Sequence, residues 1–141
     1  MRRMRPGRYL LLASAAAMAL GHWAADWNRG HTFGPGYGPH ARWHGTTEVV
    51  SATLDALLML ALLTRTSGAE RRLATTVAAL VPLLRYGPSN LTLAVAGTSP
   101  YAEGRPPIRL LGLPASLVAQ DTVIGLALCG YWLERRAGQA A

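Results

Sequence analysis

All four histidines of the chain, His22, His31, His40 and His44, fall within residues 22–48, together with Asp26, Glu48 and three of the four tryptophans. Apolar runs flank this segment on both sides, so polar chemistry is concentrated at one junction. Imidazole and carboxylate are good ligands for zinc, iron and similar ions once deprotonated. His22 and Asp26 are four residues apart, as are His40 and His44, and His44 and Glu48; on helices each such pair shares a face. The candidate metal set is therefore His22, Asp26, His40 and His44 around Zn or Fe, with His31 as an alternate ligand from the loop. Glu48 is a further ligand or a general base. In a catalytic version of this site, metal-activated water attacks or transfers protons and Glu48 handles the proton; a non-haem iron centre would be the redox variant.

The same residues have a structural alternative. His22 and Asp26 can close a helix where it meets a membrane interface, with His40, His44 and Arg42 facing headgroups or solvent. Trp23, Trp27 and Trp43 are interfacial anchors under either reading. Neither H-x-x-x-D nor H-x-x-x-H is specific enough to choose.

The elements that must position these groups are apolar. Half of the 141 residues are hydrophobic and 15% are charged, against roughly 25% in ordinary soluble domains. The net charge of +7 is carried by arginine alone. The arginines sit at the ends of apolar runs, as anionic lipid and the positive-inside bias favour, and form no tract or basic helix, so nucleic acid is not an expected partner. A single cysteine, Cys129, excludes an intrachain disulfide and is expected to be buried as a small hydrophobe.

The hydropathy pattern predicts an all-α, four-transmembrane-helix bundle in a single domain, with spans at about 8–27, 45–64, 73–96 and 110–133, the second preceded by a polar start at 39–48. The basic start resembles a signal peptide, but its apolar run continues to Ala25, so we read it as an uncleaved first span. Gly30, Gly34, Pro35, Gly36 and Gly38 make 28–38 a loop, and Pro39 suits the first turn of the next helix. The third span is expected to run through Pro82 and Pro88 as a kinked helix. Arg2, Arg3, Arg5 and Arg8, the turn 65–72, and Arg135 with Arg136 place both termini in the cytoplasm of a bacterial inner (plasma) membrane. Arg85, Arg105 and Arg109 on the outer side are discordant.

At about 1.5 Å of rise per residue, His22, Glu48, Arg85 and Asp121 lie about 20–25 Å above the cytoplasmic ends of their own spans. Four segments thus deliver ionisable groups to one layer, where each needs an interior partner. Arg85 is expected to pair with Asp121 first and Asp55 second, with Asn90 and Gln120 in the same buried polar network. The other half of the bundle is nearly devoid of polar residues, which argues against a channel.

His22, Asp26, Trp27, His31, Phe33, Pro35 and the run Pro39-His40-Ala41-Arg42-Trp43-His44 resemble a family of small, uncharacterised four-span integral membrane proteins. The resemblance covers about the first third of the chain. It departs at His31-Thr32, where the family order is threonine then histidine, and at Gly34, where the family has asparagine. It implies a fold and no established activity. The functional expectation is thus a membrane-embedded protein with a metal site at its outer face, acting as a metal-dependent enzyme on a lipid-like or small hydrophobic substrate. The alternative is a non-enzymatic module that binds lipid or a partner helix and uses the polar cluster structurally. Ala13, Ala15, Ala16, Ala17 and Gly21 offer a small-residue face for a homodimer.

Overall fold

In a computed structural model that describes residues 5–101 and 106–139, the chain forms an all-α bundle of four helices. Arg2, Arg3 and Arg105, which entered the charge reading, lie outside the described residues. The helices are α1 (Pro6–Ala25), α2 (Pro39–Arg65), α3 (Glu70–Thr92) and α4 (Ala115–Gln139). Around the bundle α1 packs on α2 and α4, and α3 on α2 and α4; only α1 and α3 meet across the diagonal.

Local chemistry explains the helix boundaries. Pro6 and Pro39 each occupy the first turn, where the missing N–H costs nothing. The Asn28 side chain donates to the carbonyls of Ala24 and Ala25 (3.3 and 2.8 Å), satisfying the end of α1. Gly68, at φ +60°, supplies the left-handed residue in the tight connection from α2 to α3. α3 runs unbroken through Pro82 and Pro88 and ends at Thr92, short of the end expected near residue 96.

The start of the fourth element differs from expectation. Instead of entering a helix at Leu110, the chain forms a two-stranded antiparallel hairpin, β1 (Arg109–Leu110) and β2 (Leu113–Pro114). Leu111 and Gly112 at its tip both have positive φ (53° and 82°), as the tight turns that match strand twist require. α4 then begins at Ala115, directly after Pro114. An apolar run continuing from Ile108 hides this boundary from hydropathy.

Small residues set the helix spacing. Leu11, Met18, Val49, Ala52, Met59 and Ala78 are fully buried, with Ala15, Ala74, Ala79 and Ala127 beside them. α1 and α4 meet backbone to backbone: a Cβ on Gly130 would lie 2.7 Å from the Gly7 carbonyl oxygen, and one on Gly7 would strike the Gly130 carbonyl in turn. Higher up, the buried Ser14 hydroxyl donates to the Val123 carbonyl at 2.8 Å. Close approach through small residues and a hydroxyl bridge is how helices adhere where burial from water gives little drive.

Among the described residues two helices, α2 and α4, are long and apolar enough to cross a membrane. Much of the apolar surface points outward: Leu54, Leu57, Leu58 and Leu60 on α2, Leu73, Leu80 and Leu84 on α3, and Leu128 on α4 are all exposed. Cys129 is exposed as well, contrary to the buried position expected for it, because it lies next to Leu128 on the outward face of α4.

Replacing Gly130 or Gly7 by valine should therefore force α1 and α4 apart. We expect a loss of about 3 kcal/mol or more, at the upper end of overpacking costs. Gly125→Ala, with nothing within 4 Å of its new Cβ, should be neutral or stabilising by up to about 1 kcal/mol through helix propensity. Unfolding of the purified variants in detergent, followed by circular dichroism, measures both.

Candidate functional site

The polar residues singled out above gather at one end of the bundle, in three groups. In the first, the last turn of α1 places His22 beside Asp26, Nδ1 to Oδ2 at 2.6 Å. A carboxylate only accepts, so Nδ1 carries the proton. The other ring nitrogen, Nε2, is buried and has no partner among the described residues. The His22 ring stacks on Tyr86 of α3, centroids 5.7 Å apart and planes 22° from parallel.

Asp26 also organises the loop. Its backbone carbonyl accepts from the N–H groups of Asn28 and Thr32, and its Oδ1 lies 3.5 Å from His31 Nε2. Tyr37 brings its hydroxyl to 3.1 Å from the same nitrogen. Burial and the Asp26 carboxylate both push the Tyr37 phenol above its ordinary pKa, so it stays neutral at physiological pH. The loop is pinned on α2 by Thr32, fully buried against Gly45: a Cβ at Gly45 would lie 2.6 Å from the Thr32 hydroxyl.

The second group joins α2 to α3. Arg85 donates from Nε to Asp55 at 2.6 Å and from Nη1 to Glu48 at 3.0 Å. Its side chain is 14% exposed, against 32% for Asp55 and 61% for Glu48. Asp55 is thus its principal partner, and Glu48 closes the fork from the rim. The expected Arg85–Asp121 pair is not formed. Asp121 on α4 instead accepts from the Asn90 amide at 2.8 Å, at an exposed position one and a half turns beyond Arg85. Glu48 and Asp55, seven residues apart on α2, present two acceptors on one face, and Arg85 takes both. Gln120 joins neither pair; its buried Oε1 has no partner among the described residues.

The third group stands apart on the first turns of α2. His40 and His44 are exposed, with their Nε2 atoms 3.2 Å apart. Trp43 stacks on His40 and meets His44 edge-on. The metal set expected from sequence is thus divided: His22, Asp26 and His31 lie together, His40 and His44 form a separate pair, and Glu48 is bound to Arg85. Among the described residues, no three histidine, cysteine, aspartate or glutamate side chains are grouped so as to hold a metal ion.

Sequence reasoning missed Tyr86, Tyr37 and Thr32. Nothing in their local sequence marks them, although Tyr86 adjoins Arg85 and Gly45 leaves a gap in the side-chain row of α2. Aromatic contacts complete the rim: Trp27 lies between Trp23 and Phe33, and Trp23 Nε1 donates to the Thr53 hydroxyl at 3.0 Å. Comparison with protein-family models, with curated proteins and with solved structures finds no match for this chain.

The ion-pair geometry is open to a double-mutant cycle. Arg85→Ala should destabilise the bundle by about 3 kcal/mol, the low end for breaking a buried pair because Asp55 is partly solvated. Adding Asp55→Ala should recover at least about 1 kcal/mol of that loss. Combined with Asp121→Ala, the effects should simply add. Thermal unfolding of the three single and two double variants in detergent decides which carboxylate Arg85 serves.

Proposed function

We propose that this chain is a non-enzymatic module of the bacterial plasma membrane, a four-span bundle with both termini in the cytoplasm that binds lipid. In this reading the polar layer in its outer half serves as structural glue. One observation carries it: each carboxylate of that layer already has a protein partner. Asp26 is taken by His22, Asp55 and Glu48 by Arg85, and Asp121 by Asn90. A general base must be positioned at the reacting proton, and Glu48 is instead turned to Arg85, which donates to its Oε2. Outward-facing leucines on α2, α3 and α4 support the lipid contact, since a soluble monomer rarely exposes so much contiguous apolar surface.

In this reading α1 and α3 cross as well, although arginine and proline lower their hydropathy. The resemblance of residues 22–44 to small four-span membrane proteins points the same way. A homodimer would pack along Ala13, Ala17 and Gly21, which share an exposed stripe of α1.

A second reading, the metal site, has two observations of its own. Asp26 orients His22 so that Nε2 is left as a free, buried lone pair, an arrangement that metal-ligating histidines adopt. His40 and His44 also bring two Nε2 atoms together on an exposed face. Zn or Fe at either place would make His22, or His40 with His44, the ligands.

Two measurements separate these readings. In a Cys129→Ser background, cysteines introduced at the exposed Gly36 and Ser67 should label from opposite sides of intact cells; labelling from the same side rejects an α2 that spans the membrane. Elemental analysis of protein purified without chelator should find no stoichiometric metal. About one Zn or Fe per chain, lost on His22→Ala or His44→Ala and kept on Trp132→Ala, would establish the metal reading in its place.

A further inference from the structure

A cavity lies at the opposite end of the bundle, among the arginines. About 380 Å³ in volume, it is bordered by the start of α1, the turn from α2 to α3, the first turns of α3 and the last turns of α4. Ligand pockets occupy roughly 300–1,000 Å³. Four arginines line it, Arg5, Arg71, Arg72 and Arg135, with Glu134 as the one acid and Thr75 as a buried hydroxyl. A smaller inward extension shares Arg71, Thr75 and Glu134 and adds Arg8.

Arginines collected at the end of a bundle ordinarily radiate into water and bend toward carboxylates. These line a concavity, and none of the four makes a salt bridge among the described residues. Glu134 is already engaged by the backbone N–H of Arg8 at 3.1 Å. The Nε atoms of Arg8 and Arg71 are buried and have no hydrogen-bond partner among the described residues. A dehydrated guanidinium N–H without an acceptor is costly, and the remedy is an anionic oxygen. The first turn of α3 adds to the demand: Gly68 and Ala69 border the cavity, and no side chain caps that helix. Apart from the Arg71 N–H, which donates to the Gly68 carbonyl, its first-turn N–H groups and the positive end of its dipole favour negative charge there, and Glu70 supplies only part of it.

We infer that this cavity binds a phosphate group, as carried by the headgroup of an anionic phospholipid. Planar guanidinium forks match phosphate oxygens two at a time, and Thr75 supplies a hydroxyl donor at the inner wall. Basic pockets between spans on the cytoplasmic side are where anionic headgroups are held. The lipid source rests on the membrane reading above; the phosphate chemistry of the pocket does not.

The test uses purified full-length protein in dodecyl maltoside at fixed ionic strength, with thermal unfolding followed by tryptophan fluorescence. Dioleoyl phosphatidylglycerol, dioleoyl phosphatidylcholine and inorganic phosphate are titrated separately. Phosphatidylglycerol should raise the midpoint saturably, by about 5–10 °C at 100 times its half-saturating concentration; phosphatidylcholine, whose phosphate is offset by choline, should raise it less. Arg71→Gln with Arg135→Gln should abolish the shift. Should that pair fail to fold, Arg5→Gln with Arg72→Gln, at less buried positions, should reduce it at least fivefold in apparent affinity. Arg109→Gln, on the hairpin at the other end, should keep it. A shift with inorganic phosphate that the same variants remove supports the pocket with a free phosphate as its occupant. A protein recovered in the soluble fraction yet stabilised by phosphate keeps the site and loses the lipid. No shift with any of the three, or a shift that survives in both pocket variants, overturns the inference.

Discussion

An arginine packed between helices must be neutralised where it stands, and much of the histidine end of this bundle follows from that requirement. Arg85 reaches Asp55 and Glu48, both on α2, and so fixes which faces of α2 and α3 meet. Its neighbour Tyr86 then turns toward α1 and lies flat on His22. His22 is held in turn by Asp26, whose backbone and side chain order the loop that leads back to α2. Three helices and one loop are thus registered by a chain of polar and aromatic contacts that begins at one guanidinium.

The other half is held by different means. There the helices approach through small residues, with Gly7 against Gly130 and Ser14 donating to Val123. Backbone contact of this kind gains dispersion energy without needing a hydrophobic drive between helices. It also leaves little room for side chains between α1 and α4, so the arginines near their ends are displaced to the rim of a cavity. The two ends of the bundle therefore differ in how their charges are met. At the histidine end the carboxylates are paired within the protein; at the other end the four cavity-lining arginines make no salt bridge among the described residues, although Arg135 lies over the Tyr131 ring. The first end behaves as finished structure and the second as a surface with a binding demand.

The apolar runs, Pro39 at a helix start, the glycine-rich loop from residue 28, and the passage of α3 through Pro82 and Pro88 were legible in the chain, whereas the start of the first helix at Pro6 was not. So was the collection of ionisable groups in one layer, because rise per residue is nearly constant along a helix. The partners within that layer were not. Asp121 and Asp55 lie at comparable heights, and a one-dimensional count of depth cannot say on which side of α3 Arg85 emerges. The hairpin at Leu111–Gly112 escaped for a related reason: a leucine at positive φ sits inside an apolar run, and hydropathy does not register backbone conformation.

The amino-acid sequence by itself determined an apolar helical bundle and the approximate heights of its polar groups, since these depend on composition and periodicity along one axis. Only the tertiary structure decided that Arg85 serves Asp55 and Glu48, that His22 rests on Tyr86, that the histidines divide into two groups, and that four arginines enclose a cavity. Each of these depends on the rotation of one helix about its axis relative to the next. That rotation is set by packing between residues far apart in the chain, which no local pattern records.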